Sequence, residues 1–217
     1  IADPGYPCNE TFVALLGGRP VRVAVGPDSG YQLSAAAVDA AWTGKTKGVL
    51  LASPANPTGA MLATDALARI VETTSQRGGF VAVDEIYQGL IYDTGPSRLT
   101  TTSLAVEPSV VVVNSFSKYF GMTGWRLGWL VLPEALVDVV ERLAQNLYIS
   151  PPTVAQHAAL AAYAPQTLAI CEERRMRFWN RREIMLDGLA KAGLEAALPT
   201  IAHELEQVLA KLDRGPL

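Results

Sequence analysis

The chain is poor in the residues that most metal and hydrolytic sites require. Its 217 residues include two histidines, His157 and His203, and two cysteines, Cys8 and Cys171. Two distant histidines leave little material for a metal centre or a serine–histidine triad, so no metal is expected. The cysteines form no Cys-x-x-Cys pattern, which argues against a disulfide framework and for a reducing, cytoplasmic setting. Charge of either sign is also scarce. Lys and Arg number 18 against 21 Asp and Glu, for a net charge of −3, and the basic residues are scattered. Neither nucleic acid nor an anionic membrane is expected as partner. No apolar run approaches the roughly 18 residues of a membrane-spanning helix. The first residues carry no basic n-region and no apolar h-region, so they do not read as a signal peptide. No internal repeat or low-complexity tract is visible.

What the chain does have is alternation. With 49% hydrophobic residues it can form one sizeable core, or one domain and part of another. Short apolar, β-branched runs predict strands over 21–25, 48–53, 80–83, 110–113 and 128–132. Helical patterns fall over 10–16, 34–42, 64 to near 78, 134–147 and 152–163, with Ser34 as a helix cap. This order predicts an α/β fold with a mostly parallel sheet covered by helices on both faces. From 165 to about 191 the sequence turns rich in Arg and Glu around one apolar stripe, predicting a long helix, and 201–212 also reads as helical.

The most informative stretch comes after the run of valines at 110–113. Ser115, Ser117 and Lys118 stand at the end of that strand, and Arg126 one short loop later. Open α/β sheets bind ligands at the carboxyl ends of their strands. A lysine there either pairs with an anion or loses its proton and attacks a carbonyl. The serines and the guanidinium suit a phosphate. Asp84 ends another apolar strand, with Tyr87 three residues on; by itself such an acid reads as a helix cap or an arginine partner. Asn56, in Asn56-Pro57-Thr58-Gly59, reads by itself as a turn. Tyr6 comes after Asp3-Pro4-Gly5 and reads as a turn tyrosine packed on the core.

Together these residues resemble the class I/II aminotransferases, of the fold-type-I pyridoxal phosphate group. The lysine signature carries most of the likeness, with Ser115 three residues before Lys118 and Arg126 eight after it. The resemblance covers residue 2 to about 194 and implies pyridoxal 5'-phosphate as cofactor, with amino acid and 2-oxo acid as substrates. It implies that Lys118 binds the cofactor through its amine and later moves the substrate Cα proton. Asp84 would pair with the pyridine nitrogen, Tyr87 and Asn56 would bond the ring oxygen, and Tyr6 would stack on the ring. Ser115 and Arg126 would hold the phosphate, with Ser117 either a further donor or a helix cap. Cis bonds are implied at Asn56-Pro57 and Asp3-Pro4. Residues 1–164 would form the cofactor-binding large domain, and 165–217 a linking helix and the start or remnant of a small domain.

The likeness fails at both ends. The family's glycine-rich phosphate loop is expected before Ile1, and a substrate-binding arginine beyond Gly193, where Arg214 is no match. The whole protein is expected to be a homodimer, and this chain by itself is expected to transaminate poorly. Carbon–sulfur lyases, synthases and decarboxylases of the same fold, and a non-catalytic cofactor-binding remnant, are the alternative readings.

Overall fold

In the computed structural model, residues 1–92 and 101–194 are described. The chain enters on β1 (Ala2–Asp3), α1 (Pro7–Leu15) and β2 (Val23–Ala24), then runs through α2 (Ala35–Ala41) into β3 (Gly48–Ala52). It continues through α3 (Thr64–Gln76), β4 (Phe80–Asp84), β5 (Val111–Ser115) and β6 (Gly128–Val131). Three helices come next: α4 (Glu134–Leu147), α5 (Thr153–Ala162) and α6 (Pro165–Lys191).

The principal sheet has the order β3-β4-β5-β6. The first three strands are parallel, and β6 runs antiparallel to β5. β1 and β2 form a separate parallel pair. The fold is therefore α/β with a mostly parallel sheet, as the alternation predicts. The strand expected over 21–25 is shorter, at Val23–Ala24, because a ladder ends where its partner ends and β1 offers two residues. The helix expected from residue 10 starts earlier, at Pro7, since proline fits the first turn of a helix. The long helix over 165–191 is present, and the segment 201–212 lies outside the described residues.

Residues paired across a sheet share a face. Val49 and Leu51 therefore lie beside Val81 and Val83, and Val83 beside Val112. These five belong to one buried cluster with Val38 of α2 and with Leu67, Ile70 and Val71 of α3. Ser34 starts α2 by accepting the Ala37 N–H at 3.1 Å, which satisfies one of the free donors of the first turn. Leu67 and Ile70 are fully buried, and each contributes about 1.5–3 kcal/mol by leaving water. The opposite face carries Leu50, Ala82, Val113 and Leu130, by the same register. Ala82 is buried there, Leu50 and Val113 are half-buried, and Leu130 is exposed. A second cluster joins Phe116 and Met122 to Ala159 and Ala162 of α5.

Candidate functional site

The carboxyl ends of β3, β4 and β5 point the same way because the strands are parallel. Each delivers one polar segment to the same end of the sheet: the Ser53–Ala60 loop, Asp84 to Tyr87, and Ser115 to Lys118. Long-range contacts hold the first. Gln32 Nε2 donates to the carbonyls of Ala52 at 3.2 Å and Ala60 at 2.8 Å, one on each side of the loop. Ser53 Oγ accepts the Leu62 N–H at 3.0 Å. The bonds Asn56-Pro57 and Asp3-Pro4 are cis, as expected, and Ser53-Pro54 is cis as well.

This loop aims Asn56 at the segment after β4. Asn56 Nδ2 donates to the Tyr87 hydroxyl at 3.2 Å. Tyr87 is buried, and the Lys118 amine lies 5.3 Å from its ring centroid. Burial pushes the Lys118 amine below its ordinary value, and the Asp84 charge partly opposes that shift. Asp84 moves the other way. Burial raises its carboxyl, Glu85 adds to the rise, and the Ile86 N–H and Lys118 oppose it. Asp84 Oδ1 accepts that N–H at 3.0 Å in a non-helical turn, so the cap reading gives way to a local turn bond.

Ser115 and Ser117 lie on the same turn. Their hydroxyls are 2.8 Å apart, and the Ser115 hydroxyl is 3.0 Å from the Leu127 carbonyl; with one proton it donates to one of them at a time. The Ser117 N–H donates to Ser115 Oγ at 3.0 Å. No helix starts at Ser117, so the cap reading of this residue is overturned. Thr123 Oγ1 donates to the Ser117 carbonyl at 2.7 Å and pins the returning loop. Arg126 ends that loop in the left-handed region, with φ of 53°, and its Nη1 donates to the Thr123 carbonyl at 3.0 Å. It lines a cavity of about 600 Å³ with Asn114, Gly128 and Ser150. Gly128 is required where β6 meets β5, since a Cβ there would come within 2.7 Å of the Asn114 carbonyl oxygen.

Tyr6 is 41% exposed and stands just before α1. The neighbouring Cys8 thiol, burial and Asp84 raise its phenol, and Arg126 lowers it. Glu85 carries no sequence signal of its own. It is fully buried, and it accepts the Ser103 N–H at 2.5 Å and the Ser103 hydroxyl at 2.6 Å. It thereby anchors the backbone between Asp84 and Tyr87 from outside the site. Gln32 was equally invisible in the sequence, because its two acceptors lie 20 and 28 residues away.

The family model for class I and II aminotransferases matches residues 1–204. The chain belongs to that family. It is 38% identical over 203 residues to the valine–pyruvate aminotransferase of Mycobacterium tuberculosis, a match covering 92% of this chain and 51% of the relative. A crystal structure of an aminotransferase from Mycobacterium tuberculosis has a TM-score of 0.86 at 38% identity, over 92% of this chain and 51% of that one. The aspartate aminotransferase of Thermus thermophilus, solved with maleate, has a TM-score of 0.85 at 30% identity, over 93% and 52%. The chain thus spans about half the length of the curated relatives it matches. The class I and II aminotransferases work with pyridoxal phosphate, and the side chains described above have chemistry that suits that group: an amine below its ordinary pKa, a half-buried acid, an amide and a phenol, two hydroxyls and a guanidinium.

Proposed function

We propose that this chain is the cofactor-binding part of a pyridoxal-phosphate-dependent aminotransferase, which transfers an amino group from an amino acid to a 2-oxo acid. The observation that carries the reading is the Lys118 amine, held below its ordinary pKa by burial and set over the Tyr87 ring with Asp84 nearby. The family match and the similarity to solved aminotransferases support it. Residues 1–164 form the large domain in this reading, and 165–217 hold the linking helix and the start or remnant of a small domain.

Bound, pyridoxal phosphate supplies a sink for the electrons left when a substrate Cα loses its proton. The chain's own residues do the rest. Ser115, Ser117 and Arg126 hold the phosphate, the hydroxyls by single bonds and the guanidinium as a fork. Asp84 pairs with the ring nitrogen, and a cationic partner stabilises a carboxylate that burial otherwise penalises. Asn56 and Tyr87 donate to the ring oxygen, and Tyr6 packs on the ring. Lys118 Nζ, unprotonated, takes the proton from the substrate Cα and returns it during transfer. The complete protein acts as a homodimer in this reading.

The test is chemical. Borohydride treatment of the chain with pyridoxal phosphate fixes the cofactor on Lys118, and peptide mapping reads the position. In the complete protein, adding an amino acid before reduction releases one equivalent of 2-oxo acid and protects the cofactor lysine from modification. An adduct on Lys45 or Lys47 instead would refute the assignment of the lysine. Retention of the amino group with loss of another substituent would refute transamination.

A further inference from the structure

The arginine- and glutamate-rich helix α6 has no part in the chemistry above, yet its charges reach the turn that carries the amine. Tyr119, the residue after Lys118, donates its hydroxyl to Glu172 Oε1 at 2.7 Å. Glu172 Oε2 accepts the Arg175 Nε–H at 2.9 Å. Arg175 Nη1 in turn donates to the Ile91 carbonyl at 3.1 Å, just past the turn after Tyr87. One carboxylate and one guanidinium therefore tie the segment after β5 to the segment after β4.

The packing is close at both ends of this tie. The Tyr119 ring lies over Gly89, where a Cβ would come within 2.5 Å of the ring carbon Cγ. On the other side, the Gly121 N–H closes a turn on the Lys118 carbonyl at 3.0 Å. Gly121 has φ of 68°, and the Arg174 guanidinium fills the space beside it, 2.5 Å from where a Cβ would stand. Burial alone would raise the Glu172 carboxyl, but the bonds from Tyr119 and Arg175 outweigh it and hold the group below its ordinary value.

We propose that Glu172 and Arg175 of α6 are positioning residues for Lys118, holding its amine against the Tyr87 ring through Tyr119. The inference rests on the reading of Lys118 as the cofactor lysine. Neither residue acts on the amine directly. Among the charges facing it is Asp84 at the end of β4, and the Tyr87 phenol ring lies beneath it. The tie makes the seating of the amine depend on how α6 packs, and α6 is the helix that leads out of the large domain in the reading above.

Competitive acylation of the 217-residue chain across a pH series, without cofactor, reads the Lys118 amine directly, with exposed Lys45 as the internal reference. Glu172→Ala and Tyr119→Phe each raise the midpoint of Lys118 labelling as the amine leaves its seat. Glu172→Gln keeps an acceptor for the Tyr119 hydroxyl and returns the midpoint toward that of the unaltered chain. Glu173→Ala, which removes an exposed partner of Arg177, leaves it in place. Circular dichroism identifies any variant that unfolds; Tyr119→Phe removes one oxygen atom and carries the test if Glu172→Ala is lost. A Lys118 midpoint unchanged in the folded variants overturns the inference. Trapping of pyridoxal phosphate on another lysine would overturn the functional reading instead, and it leaves the labelling result standing.

Discussion

The two faces of the principal sheet are built from similar residues and meet different surroundings. On one, Val49, Leu51, Val81, Val83 and Val112 are buried under α2 and α3. On the other, Leu50 and Val113 are half-buried and Leu130 is 48% exposed. Helices α3 and α4 repeat the contrast. Both carry an apolar stripe, but α3 buries Leu67, Ile70, Val71 and Thr74, whereas α4 buries no residue and leaves Leu143 and Leu147 exposed. An apolar stripe specifies that a face can be buried, and long-range packing decides whether it is. The site sits between these regimes. Asp84 lies on the open face, beside Val113 by register, while Val83 before it is sealed in the core.

The sharpest test compares the two faces directly. Ile70→Ala or Leu67→Ala should destabilise the chain by about 2–5 kcal/mol, since each leaves a cavity in a closed core. Leu130→Ala should stay within about 0.5 kcal/mol, as exposed positions do. Urea denaturation measures both, and equal losses would break the comparison by showing that the open face is covered in solution.

A smaller effect is expected where the loops cross from one region to the other. Tyr87→Phe removes the acceptor of the Asn56 amide and should cost about 0.5–1.5 kcal/mol, with little change in the denaturant slope. A loss near zero would mean that water replaces the phenol, and hence that this part of the site is open.

The smallest effects are electrostatic, and their signs differ. Burial raises Asp84 from 3.8, so between that value and its folded pKa the folded chain binds more protons than the unfolded one. Stability relative to Asp84→Asn should therefore fall as pH rises through that window. Burial lowers Lys118 from 10.5, so in its window the unfolded chain binds more protons. Stability relative to Lys118→Met should rise as pH climbs toward 10.5. Paired urea titrations across pH read both, and parallel profiles for wild type and variant would show that the groups are solvated on the open face.

The positions of the candidate site residues were legible because they stand at the ends of strands that their own composition marks, while the roles expected of them came from the family resemblance. Lys118 and Ser115 come after a run of valines, Asp84 closes an apolar strand, and Asn56 sits in a proline–glycine loop. The residues that hold these in place left no such trace. Gln32 clamps the Asn56 loop, Glu85 anchors the backbone before Tyr87 through Ser103, and Glu172 bonds Tyr119 across 53 positions. Their partners are distant in the chain, so no local pattern announces them.

The order of strands and helices from α1 onward, the span of α4 over Glu134–Leu147 and that of α6 over Pro165–Lys191 were in the sequence, because periodicity and turn chemistry act over a few residues. Tertiary structure alone decided that β6 runs antiparallel to β5, that β2 shrinks to the length of its partner, and that Ser117 bonds Ser115 rather than capping a helix. It also decided which apolar face is covered. Each of these depends on contacts between distant segments and on the exclusion of water between them, and burial of that kind is a property of the assembled surface rather than of any stretch of chain.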